Sequence, residues 1–328
     1  MTAIAPYMST FLNDYLVKQR GSSAHTCETY AYSFQMLFQF ASERLKLLPS
    51  AMELEQIDAP LVTCFLEHCE TSLGNTPSTR NVRLAAIKSF FHFLEFRIPS
   101  AIDQCRRIFS IPFKRTDSRL VSYLTKEESQ AILDMPDMKK RNGIRDYAMV
   151  HLALATGLRV SELTALRITD LTLQPTASIL IRGKGRKERT LPLWKETVST
   201  LQAWLSVRGD VKAPELFVNS RGERFTRWGF AHLLKKYVDQ ASHHCPTLKN
   251  KQVSPHVLRH TCGMVALLAT RDIRKVALWL GHSSTQTTED YVRADPTEKL
   301  EAINSIIPPN IRKGEFSVPD KLIAILKR

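Results

Sequence analysis

Several side chains in the second half of this sequence could handle a phosphodiester. Thr156-Gly157-Leu158-Arg159-Val160-Ser161-Glu162 places Arg159 at a glycine-marked break just ahead of a helix. A guanidinium there can clamp two non-bridging phosphate oxygens with parallel hydrogen bonds. Lys184 sits between Gly183 and Gly185, where an ammonium on a turn could protonate a leaving alkoxide. With Arg182, Arg186, Lys187 and Arg189 around it, plain phosphate attraction is the other reading of that turn. In Ser254-Pro255-His256-Val257-Leu258-Arg259, His256 and Arg259 stand at i and i+3, on one side of a helical turn. Gly281-His282 follows an apolar helical segment, and Tyr291 comes nine residues after His282. Each feature alone has a bland reading: a surface arginine, a basic turn, a chance His-x-x-Arg, a packing tyrosine. Their order along the chain is what gives them weight.

The elements that must position these groups can be read from hydrophobic spacing. Apolar residues at helical period predict helices over 10–20, 24–45, 59–73 and 77–97. Asp58 precedes the third, and Thr76-Pro77 looks like an N-cap followed by proline at the first helical position. In the fourth, Leu84, Ile87, Phe91 and Leu94 form one stripe, which Arg80 and Arg83 extend toward the N-terminus. A solvated helix end and a DNA contact are both open for those two arginines. Residues 109–123 read as a linker, with Pro112, the basic pair Lys114-Arg115 and no helical period. A new domain opens at 124, where Thr125 and Glu128 have capping-box spacing. Helices run on to 167. Strands are expected over 177–182 and 188–193, joined by a glycine-containing hairpin, with 169–173 as a possible third. Helices return over 197–207, 227–242, 256–269 and 273–280.

Composition narrows the class of protein. The 328 residues suit two domains, and 43% hydrophobic with 24% charged content is ordinary for a globular chain. No apolar run reaches the roughly 18 residues needed to span a bilayer. Residues 1–20 lack the pattern of an export signal, so no membrane association is expected. The six cysteines lack CxxC spacing and read as reduced thiols of an intracellular protein rather than metal ligands. Net charge is +14, with a pI near 9.6, which points to a polyanionic partner. Residues 1–118 hold 12 Lys+Arg against 11 Asp+Glu, whereas 119–328 hold 34 against 21. The main phosphate contacts are therefore expected in the second half.

Taken in order, Arg159, Lys184 in its Gly-flanked hairpin, His256-x-x-Arg259, Gly281-His282 and Tyr291 resemble the catalytic set of the tyrosine recombinase (phage integrase) family. The likeness is greatest to its Xer-type and integron or phage integrase members. It covers residues 5–300 and is strongest over 150–295.

The resemblance implies a mainly α fold: a helical, SAM-like core-binding domain over 1–108, a linker over 109–123, and an α+β catalytic domain over 124–328 with a small antiparallel sheet. Together they would form a C-shaped clamp on DNA. Tyr291 would attack a backbone phosphate, leaving a 3′-phosphotyrosine and a free 5′-hydroxyl. Arg159 and Arg259 would stabilise the transition state, with His256 taking the tyrosine proton or holding the phosphate. Lys184 would be the general acid, His282 a phosphate ligand, and Glu162 a support for the site from behind. Lys114, Arg115, Arg186 and Lys187, with Arg80 and Arg83, are candidate DNA contacts. No metal and no cofactor are expected.

The implied partners are double-stranded DNA with specific recombination sites, further copies of the chain in a tetramer that resolves a Holliday junction, and accessory or directionality factors. Part of the tail, about 297–328, would pack on a neighbour through Ile303, Ile307, Leu322, Ile323 and Leu326, the alternative being that it folds back on its own domain. A cytoplasmic, nucleoid-associated enzyme of a mobile element or of transposition would fit. The lambda-integrase plan with distant arm sites is disfavoured. The alternatives are a type IB topoisomerase-like or telomere-resolving strand transferase, recognised by site-independent relaxation of supercoils, and a non-catalytic DNA-binding accessory protein.

Overall fold

The computed structural model describes residues 2–116, 121–183, 188–281 and 291, and it divides into two compact units, Met1–Arg119 and Leu120–Arg328. The division falls inside the 109–123 span that reads as a linker.

The first unit is helical. Helix α1 (Ile4–Thr10) runs without a break into a wider π-helical stretch, Phe11–Gln19, where the expected helix over 10–20 was to begin. Its wider turns place Phe11 and Leu16 wholly inside. Helices α2 (Ala24–Leu45), α3 (Ala59–Thr71) and α4 (Pro77–Glu95) follow. Their caps are legible: Ser23 accepts from Thr26 N–H, Asp58 from Leu61 N–H and Thr76 from Thr79 N–H. Helix α5 (Ile102–Phe109) was not anticipated. It buries only Cys105 and Ile108 and exposes Arg106 and Arg107; it is sharply amphipathic but shorter than the span of roughly 11–18 residues over which a helical period is read. Phe11 packs against Phe34, Phe90 and Phe93, with ring centroids 5.3–6.0 Å apart. Each such buried aromatic is worth about 1.5–3 kcal/mol of transfer free energy.

The second unit opens with α6 (Lys126–Leu133), whose capping box is reciprocal: Thr125 N–H donates to Glu128, and Glu128 N–H donates to Thr125 Oγ1. Helices α7 (Arg141–Thr156) and α8 (Val160–Ala165) lead to an antiparallel sheet of β1 (Leu171–Thr172), β2 (Ser178–Arg182) and β3 (Glu188–Pro192), in that order. Helices α9 (Lys195–Arg208), α10 (Arg227–Ala241), α11 (Pro255–Thr270) and α12 (Ile273–Leu280) complete the described part. Ile179, Ile181 and Leu191 face the helices, and Trp204 anchors the core, donating from Nε1 to Leu216 O at 2.8 Å. A smaller cluster of Met264, Leu267, Val276 and Leu280 surrounds Tyr291. Among the described residues the chain is thus mainly α with one small sheet. No helix among the described residues is long and apolar enough to cross a membrane.

Candidate active site

Two left-handed glycine turns build the floor of the site. Helix α7 ends at Gly157 (φ +62°) and α12 at Gly281 (φ +66°). A Cβ on Gly157 would come within 2.5 Å of the Leu280 side chain, so Leu280 can pack against this turn only because position 157 has no side chain. Their carbonyls hold Arg259, which α11 delivers from below: Nη1 donates to Gly157 O at 2.6 Å and Nη2 to Leu280 O at 2.7 Å. Arg259 is 2% exposed. Burial and the neighbouring Arg159 charge push its pKa down to about 10, which leaves it a cation at neutral pH.

Arg159 stands immediately ahead of α8 with its side chain 38% exposed. Its Nη1 donates to Glu162 Oε1 at 3.0 Å, its backbone N–H to Glu162 Oε2 at 2.9 Å, and its Nη2 reaches toward Gly281 O at 3.5 Å. Burial works to raise the Glu162 pKa, but hydrogen bonds from Arg189 and the Arg159 backbone, with the two positive charges, outweigh it and hold the carboxyl below its ordinary value. His256 lies one turn before Arg259 and keeps a solvent-facing edge. Desolvation of the rest of the ring, then the charges of Arg259 and Arg159, hold it below the ordinary 6.5.

Tyr291 is 1% exposed, with its ring against Gly263. A Cβ there would meet the tyrosine ring at 2.8 Å. Its hydroxyl lies 3.0 Å from Nδ1 of His260, and the His260 ring in turn packs edge-on to His256 at 4.3 Å. The structure therefore brings Arg159, Glu162, His256, Arg259 and Tyr291 onto the α7–α8, α11 and α12 ends of one unit. Lys184, Arg186, Lys187, His282 and the tail with its anchors lie outside the described residues.

Two residues of this constellation were not singled out from sequence. His260 follows Arg259 directly and is i+4 from His256, so helical spacing alone could have flagged it. Arg189 reads in sequence as one of several cations around a basic turn. Strand alternation carried the stronger signal: Arg189 pairs across from Ile181, on the face that Leu191 also occupies, and so points inward. There it donates to both oxygens of Glu162, at 3.2 and 2.9 Å.

The remaining candidates divide. Arg80 and Arg83 need correcting: they are 6% and 8% exposed, neither a solvated helix end nor an open surface for DNA. Arg80 donates to Pro112 O at 2.8 Å, and Arg83 donates to Ser33 Oγ at 3.0 Å while its guanidinium lies over Tyr32. The segment after α5 and the flank of α2 cover this end of α4, which a single helix pattern cannot reveal. Lys114 is exposed and paired with Glu70 at 2.7 Å, and Arg115 is exposed.

Comparison with known proteins agrees with this geometry. The phage integrase family pattern matches residues 122–298, and the pattern of the phage integrase N-terminal SAM-like domain matches residues 10–97. Protein y4rC of Sinorhizobium fredii, which carries the name integrase/recombinase, is 40% identical over 326 residues, 99% of this chain and 98% of its own length. Tyrosine recombinase XerC of Myxococcus xanthus is 32% identical over 316 residues, 94% of this chain and 99% of its own. Among solved structures, the XerH site-specific recombinase bound to palindromic difH substrate in a post-cleavage complex superposes with a TM-score of 0.68 at 25% identity, covering 87% of this chain and 81% of that one. With two buried or half-buried arginines and a tyrosine gathered where the family pattern runs, the chain belongs to the phage integrase family of tyrosine recombinases, site-specific DNA strand transferases.

Proposed function

We propose that this recombinase cleaves DNA through attack of the Tyr291 hydroxyl on a backbone phosphate, forming a 3′-phosphotyrosine and releasing a 5′-hydroxyl. The observation that carries the reading is the anchoring of Arg259 on two backbone carbonyls. A guanidinium fixed by two backbone carbonyls is rigid yet keeps its full positive charge, which suits it to a pentavalent, doubly charged phosphate. Arg159 supplies the second donor, and His256, held neutral near pH 7, can accept the tyrosine proton. Lys184 would protonate the departing 5′-oxygen, and His282 would bind the phosphate. Tyr291 is 1% exposed and its hydroxyl lies against His260, so cleavage would start with the tyrosine leaving its shelter beside Gly263 and His260.

Residues 1–108 would serve as the core-binding domain and 124–328 as the catalytic domain, with Lys114, Arg115, Arg186 and Lys187 on the phosphate backbone. The solved complexes of XerH with its difH substrate support a specific duplex site as the partner. Strand exchange would pass through a Holliday junction in a tetramer joined by tails beyond residue 297, with accessory factors setting direction. The test is incubation with nicked duplexes tiled across the DNA flanking the gene, read on a denaturing gel. A covalent adduct in wild type that disappears in Tyr291→Phe is the expected result; an adduct that persists in Tyr291→Phe removes the nucleophile assignment.

A further inference from the structure

Glu162 is a buried carboxylate with both oxygens doubly engaged. Oε1 accepts from Nη1 of Arg159 and Nη1 of Arg189; Oε2 accepts from the backbone N–H of Arg159 and Nη2 of Arg189. Side-chain exposure rises from 4% at Glu162 through 15% at Arg189 to 38% at Arg159, so the triad opens to solvent at Arg159. A lone Arg159–Glu162 pair would have no net charge. A phosphate approaching Arg159 would then meet an uncancelled carboxylate immediately behind the guanidinium, in a low-dielectric setting where that repulsion is poorly screened.

We propose that Arg189 is a positioning residue that cancels the charge of Glu162, so that Arg159 is oriented by a carboxylate and still presents a full positive charge to the scissile phosphate. This rests on the cleavage reading given above. The bidentate fork makes the cancellation geometric as well as electrostatic, because both carboxylate oxygens are turned toward Arg189. Its place is fixed from two further sides. Strand register puts Arg189 on the inner face of β3, opposite Ile181. Gly281 lies so close that a Cβ there would sit 2.8–2.9 Å from Nη1, Cδ and Cζ of Arg189. Arg189 thus joins the acid behind Arg159 to the turn whose neighbouring carbonyl, Leu280 O, holds Arg259. The two arginines expected on the phosphate keep their charges by different means: Arg259 is held by neutral carbonyls, and Arg159 by a carboxylate already neutralised.

The test uses the full chain on a nicked duplex that wild type cleaves, with single-turnover adduct formation at saturating protein and DNA affinity measured separately. Arg189→Met is expected to slow adduct formation roughly 10- to 100-fold while leaving affinity little changed. Arg189→Lys, which keeps the charge and loses the fork, should stay much closer to wild type. The deciding variant is Glu162→Gln placed on Arg189→Met. Removing the carboxylate should recover part of the lost rate, whereas a merely structural Arg189 predicts a double variant no faster than Arg189→Met. A wild-type rate in Arg189→Met, or a double variant with no recovery, overturns the assignment. If Arg189→Met fails to melt cooperatively, Arg189→Lys against Arg189→Gln carries the same contrast, and equal rates for those two overturn it. Absence of any adduct in wild type strikes the cleavage reading and this one together; an active wild type with an unaffected Arg189→Met strikes this one alone.

Discussion

The two units bury arginines in different company. In the first, Arg83 lies under an aromatic ring and donates to a serine hydroxyl, and Arg80 donates to a carbonyl and a side-chain amide. In the second, Arg145 is bonded to Asp146, Arg159 and Arg189 share Glu162, and Arg259 sits on two carbonyls. A carboxylate partner cancels the charge and makes a strong local tie; a carbonyl or hydroxyl partner fixes position and leaves the charge in place. The first unit uses its buried arginines to close the packing between α2, α4 and the chain after α5. The second unit uses both kinds of partner, so charge is cancelled at Arg145 and retained at Arg259.

That contrast can be broken or sharpened by substitution. Asp146→Ala should have the largest effect, because it leaves Arg145 buried without its carboxylate and strips Tyr237 of the acceptor it meets at 2.8 Å. A loss of about 3–5 kcal/mol in urea unfolding is expected; a loss under 1 kcal/mol would mean that the pair is not electrostatically important. Arg259→Lys should fold normally yet lower the single-turnover cleavage rate by about 10²- to 10³-fold, since an ammonium cannot span Gly157 O and Leu280 O and still present a fork to phosphate. Near-normal cleavage would show that the carbonyl cage is dispensable.

Gly263→Ala should cost about 1–3 kcal/mol, because the new methyl overlaps the Tyr291 ring. An unchanged melting curve would mean that the ring does not rest there. Arg83→Met should cost about 1.5–3 kcal/mol, the worth of one hydrogen bond from a charged donor to a neutral partner. A loss as large as that of Asp146→Ala would erase the distinction between the units. The last effect concerns pH. His256 is depressed below its ordinary 6.5, first by desolvation and then by the uncancelled charges of Arg259 and Arg159. Its neutral form therefore persists to lower pH, and cleavage should decline only as pH falls through a value below 6.5. A rate profile whose acid limb, absent in His256→Asn, falls at or above 6.5 would show that those charges are not felt.

Much of the architecture was readable from local pattern. The α12 span, the Thr125–Glu128 capping box, the β2 and β3 strands and the stripe Leu84-Ile87-Phe91-Leu94 all follow from short-range rules of spacing and capping. Helix α5 escaped because its eight residues are fewer than the window of roughly 11–18 in which a helical period is read. Arg80 and Arg83 were misread because what covers them comes from elsewhere in the chain, Pro112 in one case and Ser33 in the other. Arg189 is the intermediate case. Alternation along β3 says that it faces inward, but nothing near it in sequence says that its partner is Glu162, 27 residues earlier.

The sequence by itself determined most of the helices, strands β2 and β3, and the order in which Arg159, His256, Arg259 and Tyr291 occur, because propensity, capping and hydrophobic period act over a few residues. Only the tertiary structure decided which charges are cancelled and which survive. Gly157, Glu162, Arg189 and Leu280 surround the two arginines from separate stretches of chain, and electrostatics in a buried site depends on distance in space, which no local pattern encodes.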